Sequence, residues 1–434
     1  MKKKVIKNGY ILTMVDDQLA AGDHYFIGDI LIDGNKITQV VHATHNYSNE
    51  EYEVIDATGM VVLPGFINCH THAAMTLLRG YADDLPLMEW LEKKIWPLED
   101  KLMPDYVHWG TKLAILEMIK GGTTCFADMY FMMDQVAEAV QQTGMRACLS
   151  RGIIAFNNGD KSLKESVDFT HKWHQSAEGR ITAMLGPHAP YTCPPDFLEE
   201  VTAEAKNLGI GIHIHLAETL SEVKQLKEQY GKTAFEIAYD AGLFSGVKVI
   251  AAHCVYATDS DMELILKGNV GVAHNPESNM KLASGIAPVT KMLKAGITVG
   301  LGTDGAASNN NLDMIQEMRS AALLQKVHTL DPTVIPSYTA LAMATKNGAK
   351  VLGLEKEIGT IQAGMKADII ILNLKEPHLQ PIHDINAHLV YSASAADVDT
   401  VIIDGKVVMM NREVFTMDEE RVIFEVNDIV KKLL

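Results

Sequence analysis

The stretch Pro64-Gly65-Phe66-Ile67-Asn68-Cys69-His70-Thr71-His72 holds the pattern on which the fold turns. An apolar run delivers two histidines to a strand terminus. Residues two apart on a strand point to the same side, so both imidazoles can reach a single ion. Outward from this run, which starts near residue 60, seven more apolar runs follow at 123–129, 146–152, 181–187, 211–217, 247–252, 270–273 and 297–301. They alternate with longer segments of helical period, such as Leu113-Ala114-Ile115-Leu116-Glu117-Met118-Ile119-Lys120, each closed by a nearby glycine. Such alternation marks parallel βα units, and eight of them predict an α/β chain built on a (β/α)8 TIM barrel.

The texture differs at the two ends. From Val5 to about Asp56, short strand-like segments are punctuated by Gly and Asn, with Asp33-Gly34-Asn35 as a hairpin turn. After about Gly359 the same texture returns in Ala367-Asp368-Ile369-Ile370-Ile371-Leu372 and around Asp404-Gly405. The expected division is therefore a composite β-sandwich from 1–58 and 360–434, and a catalytic barrel over 59–359.

Length and composition agree with this division. The chain has 434 residues, and an α/β barrel occupies roughly 250, which leaves room for one smaller module. A formal charge of -17 repels a phosphate backbone, so no polymeric nucleic acid is expected as partner. Five scattered cysteines without a C-x-x-C pair predict a reducing compartment, the cytoplasm. No apolar run of about 18 residues predicts a membrane span, and the first residues lack the apolar core of a signal peptide. Self-association into a homo-oligomer is left open.

Each apolar run carries a His, Asp or Arg at or just past its carboxyl side: His70 with His72, Asp128, Arg151, His188, His213 with His215, His253, His274 and Asp304. In a barrel these ends open on one face, where active sites form. His70, His72, His215 and Asp304, from the first, fifth and eighth runs, supply three nitrogens and one oxygen. That set suits one Zn2+ or Fe2+ per chain with a coordination position left for water. Taken singly, each is equally a hydrogen-bonded core histidine or a turn aspartate; their joint placement argues for the ion.

Five motifs then resemble the amidohydrolase superfamily in order: the opening stretch, His213-Ile214-His215-Leu216-Ala217-Glu218, Ala252-His253-Cys254, His274-Asn275-Pro276-Glu277-Ser278-Asn279-Met280-Lys281-Leu282 and Gly302-Thr303-Asp304-Gly305. Within it the chain is most similar to the mononuclear branch that deaminates purines, in particular the 5'-methylthioadenosine/S-adenosylhomocysteine deaminases. Binuclear members carry a bridging lysine near the fourth strand, whereas this chain reads Leu185-Gly186-Pro187-His188-Ala189-Pro190-Tyr191. The resemblance implies hydrolytic deamination of an adenosine derivative to the inosine derivative plus ammonia. The ion would lower the pKa of its water from about 15.7 toward about 7, Asp304 would take the water's proton, and Glu218 would protonate the ring nitrogen. His253 is implied as the partner of that water.

As substrate contacts the resemblance implies Glu99, Arg151 and His188, with Glu218 and Asp304 meeting the base. For Glu99 a solvated helix end is the competing reading. A second basic group for a homocysteine carboxylate is missing near Arg151, where only Lys161 follows. Leu85-Pro86-Leu87-Met88-Glu89-Trp90 lines a methylthio pocket or simply packs a loop. Two further readings stay open: a deaminase or hydrolase of another heterocycle (guanine, cytosine, 8-oxoguanine or a chlorotriazine), and a barrel retained only for binding or assembly.

Overall fold

The computed structural model describes residues 2–15, 25–43, 47–48, 50–156 and 158–434. In chain order the strands of the first segment are β1 (Lys3–Ile11), β2 (Phe26–Asp33), β3 (Lys36–His42), β4 (Tyr52–Asp56) and β5 (Met60–Pro64). Then come β6 (Phe66–Thr71), β7 (Thr123–Tyr130), β8 (Arg146–Ile153), β9 (Ile181–Pro187), β10 (Gly211–Leu216), β11 (Lys248–His253), β12 (Asn269–His274) and β13 (Thr298–Leu301). The chain ends with β14 (Ile369–Asn373), β15 (Val398–Ile403), β16 (Lys406–Met410) and β17 (Glu413–Val414).

β6 to β13 pair in parallel, each with its successor, as eight βα units require. Covered on both faces, these strands are almost continuously buried; all six residues of β6 are. The ring closes where β6 meets the end of β13. There Asp304 N donates to His70 O at 2.9 Å, and the Asn68 side chain donates to Thr303 Oγ1 at 2.8 Å while accepting from Thr303 N at 3.0 Å. A side chain thus replaces ladder bonds at the seam, and it sets Asp304 directly beside His70.

The other strands form one nine-stranded mixed sheet in the order β17-β16-β15-β14-β5-β1-β2-β3, with β4 also on β1. Isoleucines from both chain ends, among them Ile6, Ile30, Ile37, Ile369 and Ile402, share one core. The run expected at 60–72 is two strands, because β5 pairs with β1 and β14 in this sheet and only β6 enters the barrel. Gly65 is the switch: a Cβ there would lie 2.1 Å from Thr124 Oγ1, so only glycine lets the backbone cross between sheets. We propose that the boundary between the two units lies at Gly65, after β5. The last element, helix Glu419–Leu433, is not part of the sheet. It buries Val422, Val426, Ile429 and Leu433 and packs on the barrel helix Pro104–Lys120.

A buried ion network joins the two units. Arg146, at the start of β8, meets Asp368 at 2.7 Å and Asp404 at 3.2 Å, with all three side chains at most 4% exposed. Between β6 and β7 the chain makes short helical turns, Ala73–Leu78, Leu87–Trp90, Leu91–Ile95 and Trp96–Glu99, over the carboxyl ends of the barrel strands. Among the described residues no helix is long and apolar enough to cross a membrane.

Candidate active site

The carboxyl ends of β6, β10, β11 and β13 bring His70, His72, His215, His253 and Asp304 together. Ligand atoms of His70, His72 and Asp304 lie within 4.8 Å of one another, as do those of His70, His215 and His253. His70 Nε2 is 3.5 Å, and His72 Nε2 3.3 Å, from Asp304 Oδ1. The outer ring nitrogens are engaged. His72 Nδ1 donates to Met129 O at 2.6 Å and His215 Nδ1 to His188 O at 2.7 Å. A carbonyl only accepts, so Nδ1 carries a proton in both rings and Nε2 is the atom turned toward the cluster. His70 Nδ1 lies 2.8 Å from His213 Nε2, while its buried Nε2 has no hydrogen-bond partner.

This donor set fits a divalent ion. Imidazole nitrogens and one carboxylate oxygen converge in a buried place, with their orientation set by outer partners as metal ligands require. His213, noticed at the end of the fifth run but given no role there, is the partner that orients His70. Burial holds His70 down to about 4 against the pull of Asp304. At His72 burial is outweighed by the hydrogen bond and charge of Asp304, which raise it to about 9. Asp304, opposed by burial but flanked by both rings, is held well below the usual carboxylate range. Its Oδ2 accepts from Ser278 Oγ at 2.6 Å and Ser308 Oγ at 3.0 Å, and its Oδ1 from Gly305 N at 2.8 Å. Asp304 and His253 take left-handed backbone angles, φ 62 and 69, the kind of strain found where function dictates conformation.

Glu218 faces this cluster from the turn after β10. Its Oε2 is 3.8 Å from His253 Nε2 and its Oε1 3.4 Å from Ser284 Oγ. Burial raises its pKa, so the proton is held more tightly than on an ordinary glutamate. His253 is steadied through Nδ1, 2.9 Å from Asn279 Oδ1. Ser278 and Asn279 belong to a motif quoted from the sequence without individual roles, since only their seat on the helix Pro276–Lys281 turns them toward Asp304 and His253.

A cavity opens over these groups, and His72, His215, Glu218, His253 and Asp304 line its floor. Leu87, Trp90, Leu91 and Trp96 form a wall, so the segment read as pocket or packing does line the cavity. Glu99 also lines it, with one oxygen accepting from Tyr130 Oη at 2.7 Å. His188 lines it too, and burial lowers its pKa to about 3 and keeps it neutral. Arg151 is not brought in. Its guanidinium pairs with Glu165 and the Gly152 carbonyl and faces a neighbouring depression that shares Phe131 with the cavity. Lys161 is an exposed side chain 3.8 Å from the same Glu165. No lysine or arginine is among the described residues lining the cavity.

Comparison with known proteins gives one direction. Residues 61–408 match the model of the Amidohydrolase family. A 5-methylthioadenosine/S-adenosylhomocysteine deaminase of Desulforudis audaxviator is 53% identical over 99% of both chains. A 5'-deoxyadenosine deaminase of Methanosarcina acetivorans is 52% identical over 99% of this chain and 98% of the relative. Among solved structures, an adenosine deaminase from Xanthomonas campestris with bound zinc superposes with a TM-score of 0.94 at 33% identity, covering 100% of this chain and 98% of the other.

Proposed function

This chain belongs to the amidohydrolase family, and from that premise we propose that it is a metal-dependent hydrolase that deaminates an adenosine derivative to the inosine derivative and ammonia. The observation that carries the reading is a buried glutamate, Glu218, whose pKa burial raises, facing Asp304, whose pKa the flanking histidines hold down, across one cavity beside a histidine cluster. Two carboxyls pushed in opposite directions divide acid and base work. His70, His72, His215 and Asp304 would hold the ion. Zn2+ is proposed on their donor chemistry, and the zinc in the solved relative supports it. Bound there, such an ion acts as a Lewis acid and lowers the pKa of a water from about 15.7 toward about 7.

The chain's own groups then divide the proton transfers. Asp304, ionised because His70 and His72 flank it, accepts the proton that the attacking water gives up. Glu218, whose pKa burial raises, delivers a proton to purine N1 as C6 becomes tetrahedral. His253 Nε2 orients the water from the side opposite Asn279. As the C6–N bond breaks, the proton on Asp304 leaves with ammonia, and the C6 hydroxyl proton passes back to Glu218, which leaves the 6-oxo product and restores the acid. Glu99, in the rim beside Tyr130, accepts from ribose hydroxyls, and His188 contacts the nucleoside. The five buried free cysteines support a reducing, cytoplasmic setting.

Within this class we assign a neutral 5'-substituent, methylthio or hydrogen, ahead of homocysteinyl. A cavity lined without lysine or arginine offers a carboxylate no counter-charge, and Glu165 already neutralises Arg151. Relative kcat/KM for 5'-methylthioadenosine, 5'-deoxyadenosine, adenosine and S-adenosylhomocysteine tests this. The first two should exceed the last by about tenfold or more, roughly 1.4 kcal/mol of discrimination, and the reverse order would overturn the assignment. For the reaction itself, Glu218→Gln should cut ammonia release by about 10²–10⁴-fold with bound metal unchanged. Undiminished turnover in that variant would remove Glu218 from the mechanism.

A further inference from the structure

We propose that Glu222 is a positioning residue for Glu218, an inference that rests on the reading of Glu218 as the acid of the proposed reaction. Glu222 lies in the first turn of helix Leu220–Tyr230 and is 5% exposed. Its Oε1 accepts from Ala217 N at 3.0 Å and its Oε2 from Glu218 N at 2.8 Å. Both oxygens are therefore spent on consecutive amides of the turn that carries the acid.

That turn needs a clamp. β10 ends at Leu216, and Ala217 takes φ 51, a left-handed conformation that alanine adopts at a cost of about 1–2 kcal/mol. Left to itself, the turn would relax toward extended backbone and swing Glu218 away from His253. The Ala217 carbonyl is tied to Tyr256 N at 3.0 Å, but its amide and that of Glu218 are held by Glu222. The clamp is itself anchored, since Glu222 N donates to Thr219 Oγ1, the helix cap, at 3.3 Å.

Ordinary helix capping does not by itself account for this arrangement. A glutamate three residues after a capping threonine usually takes the threonine's own amide, as Glu236 does with Thr233 N at 2.7 Å. Glu222 keeps an interaction with the Thr219 backbone and also reaches back past it to the amides of the two residues before the cap. No salt-bridge partner offsets its charge among the described residues, and burial pushes its carboxyl up to about 7, so the group is costly where it stands. Among common side chains in this place, a carboxylate offers two acceptors to two parallel amides; a glutamine would turn an NH2 toward one of them.

The test is a double-mutant cycle between Glu222→Gln and Glu218→Gln, with metal content and thermal midpoint measured on every variant. Glu222→Gln should lower kcat for 5'-methylthioadenosine by about 10–100-fold, with KM changed by less than about threefold and metal retained. In the Glu218→Gln background the same change should cost no more than about twofold, because the residue it orients is already disabled. Glu222→Asp, which keeps the charge but falls short of the turn, should lie between. Full multiplication of the two losses, or an unaltered kcat in Glu222→Gln, would overturn the proposal. Amide hydrogen exchange across residues 211–222 gives a readout independent of turnover. Protection at Ala217 and Glu218 should fall in Glu222→Gln, and unchanged protection would refute the clamp even if the substrate reading fails.

Discussion

At the residue scale, the site works by giving every functional group a second partner that removes its freedom. His72 and His215 are tied to backbone carbonyls, His70 to His213, His253 to Asn279 and Asp304 to two serines. Removing the Asn279 partner leaves His253 Nδ1 only the longer contact with Asn275 Nδ2, at 3.3 Å, and should loosen its orientation. Asn279→Ala is expected to lower kcat by about 10–100-fold with one metal equivalent retained, measured by steady-state kinetics beside metal analysis. The pull of Asp304 on His72, up to about 9, has a consequence for the metal. At neutral pH a proton occupies His72 Nε2, and an incoming ion must displace it. Zn2+ affinity should therefore climb with pH and level off above about 9, with close to one proton released per ion at pH 7. Calorimetry in buffers of different ionisation enthalpy measures that release, and none released would contradict the assignment of His72 as a ligand.

At the element scale, two features join units that look independent along the chain. Gly65 lets a single apolar run serve two sheets, which is why 60–72 reads as one strand and folds as two. The second is Arg146, whose guanidinium bridges Asp368 and Asp404 where the terminal sheet meets the barrel. Arg146→Met leaves Asp368 buried without a counter-charge and Asp404 with only Lys366 Nζ, 3.6 Å away, and should destabilise the protein by about 3–5 kcal/mol in urea unfolding. Replacing all three with apolar residues of similar volume should cost much less, because the desolvation penalty disappears with the charges. A triple variant as unstable as Arg146→Met would show that the network contributes more than charge balance.

At the scale of the whole molecule, barrel closure makes the site. The proposed ligands from β6, β10 and β13 stand 145 and 89 residues apart in sequence, from His70 to His215 and from His215 to Asp304, yet meet at one mouth. An ion that binds only this assembled state adds stability by mass action, about 4 kcal/mol at a thousandfold excess over Kd. Stripping the metal with a chelator should abolish ammonia release and lower Tm by several degrees, with both restored by one equivalent of Zn2+ per chain. Restoration that needs two equivalents would argue for a second ion. Much of this was legible beforehand. Period-two and helical patterning is a local property, so eight βα units, the terminal β-module and the strand-end histidines could be read from residues alone. His70 and His72 share a side because strand geometry dictates it. What only the tertiary structure decided are relations between distant segments. Asn279 meets His253, Glu222 clamps the turn before its own helix, Glu165 draws Arg151 out of the cavity, and β5 leaves the barrel for the terminal sheet. Local patterning sets which face of an element is buried, but partner choice depends on how elements pack in three dimensions, and no spacing along the chain encodes that distance.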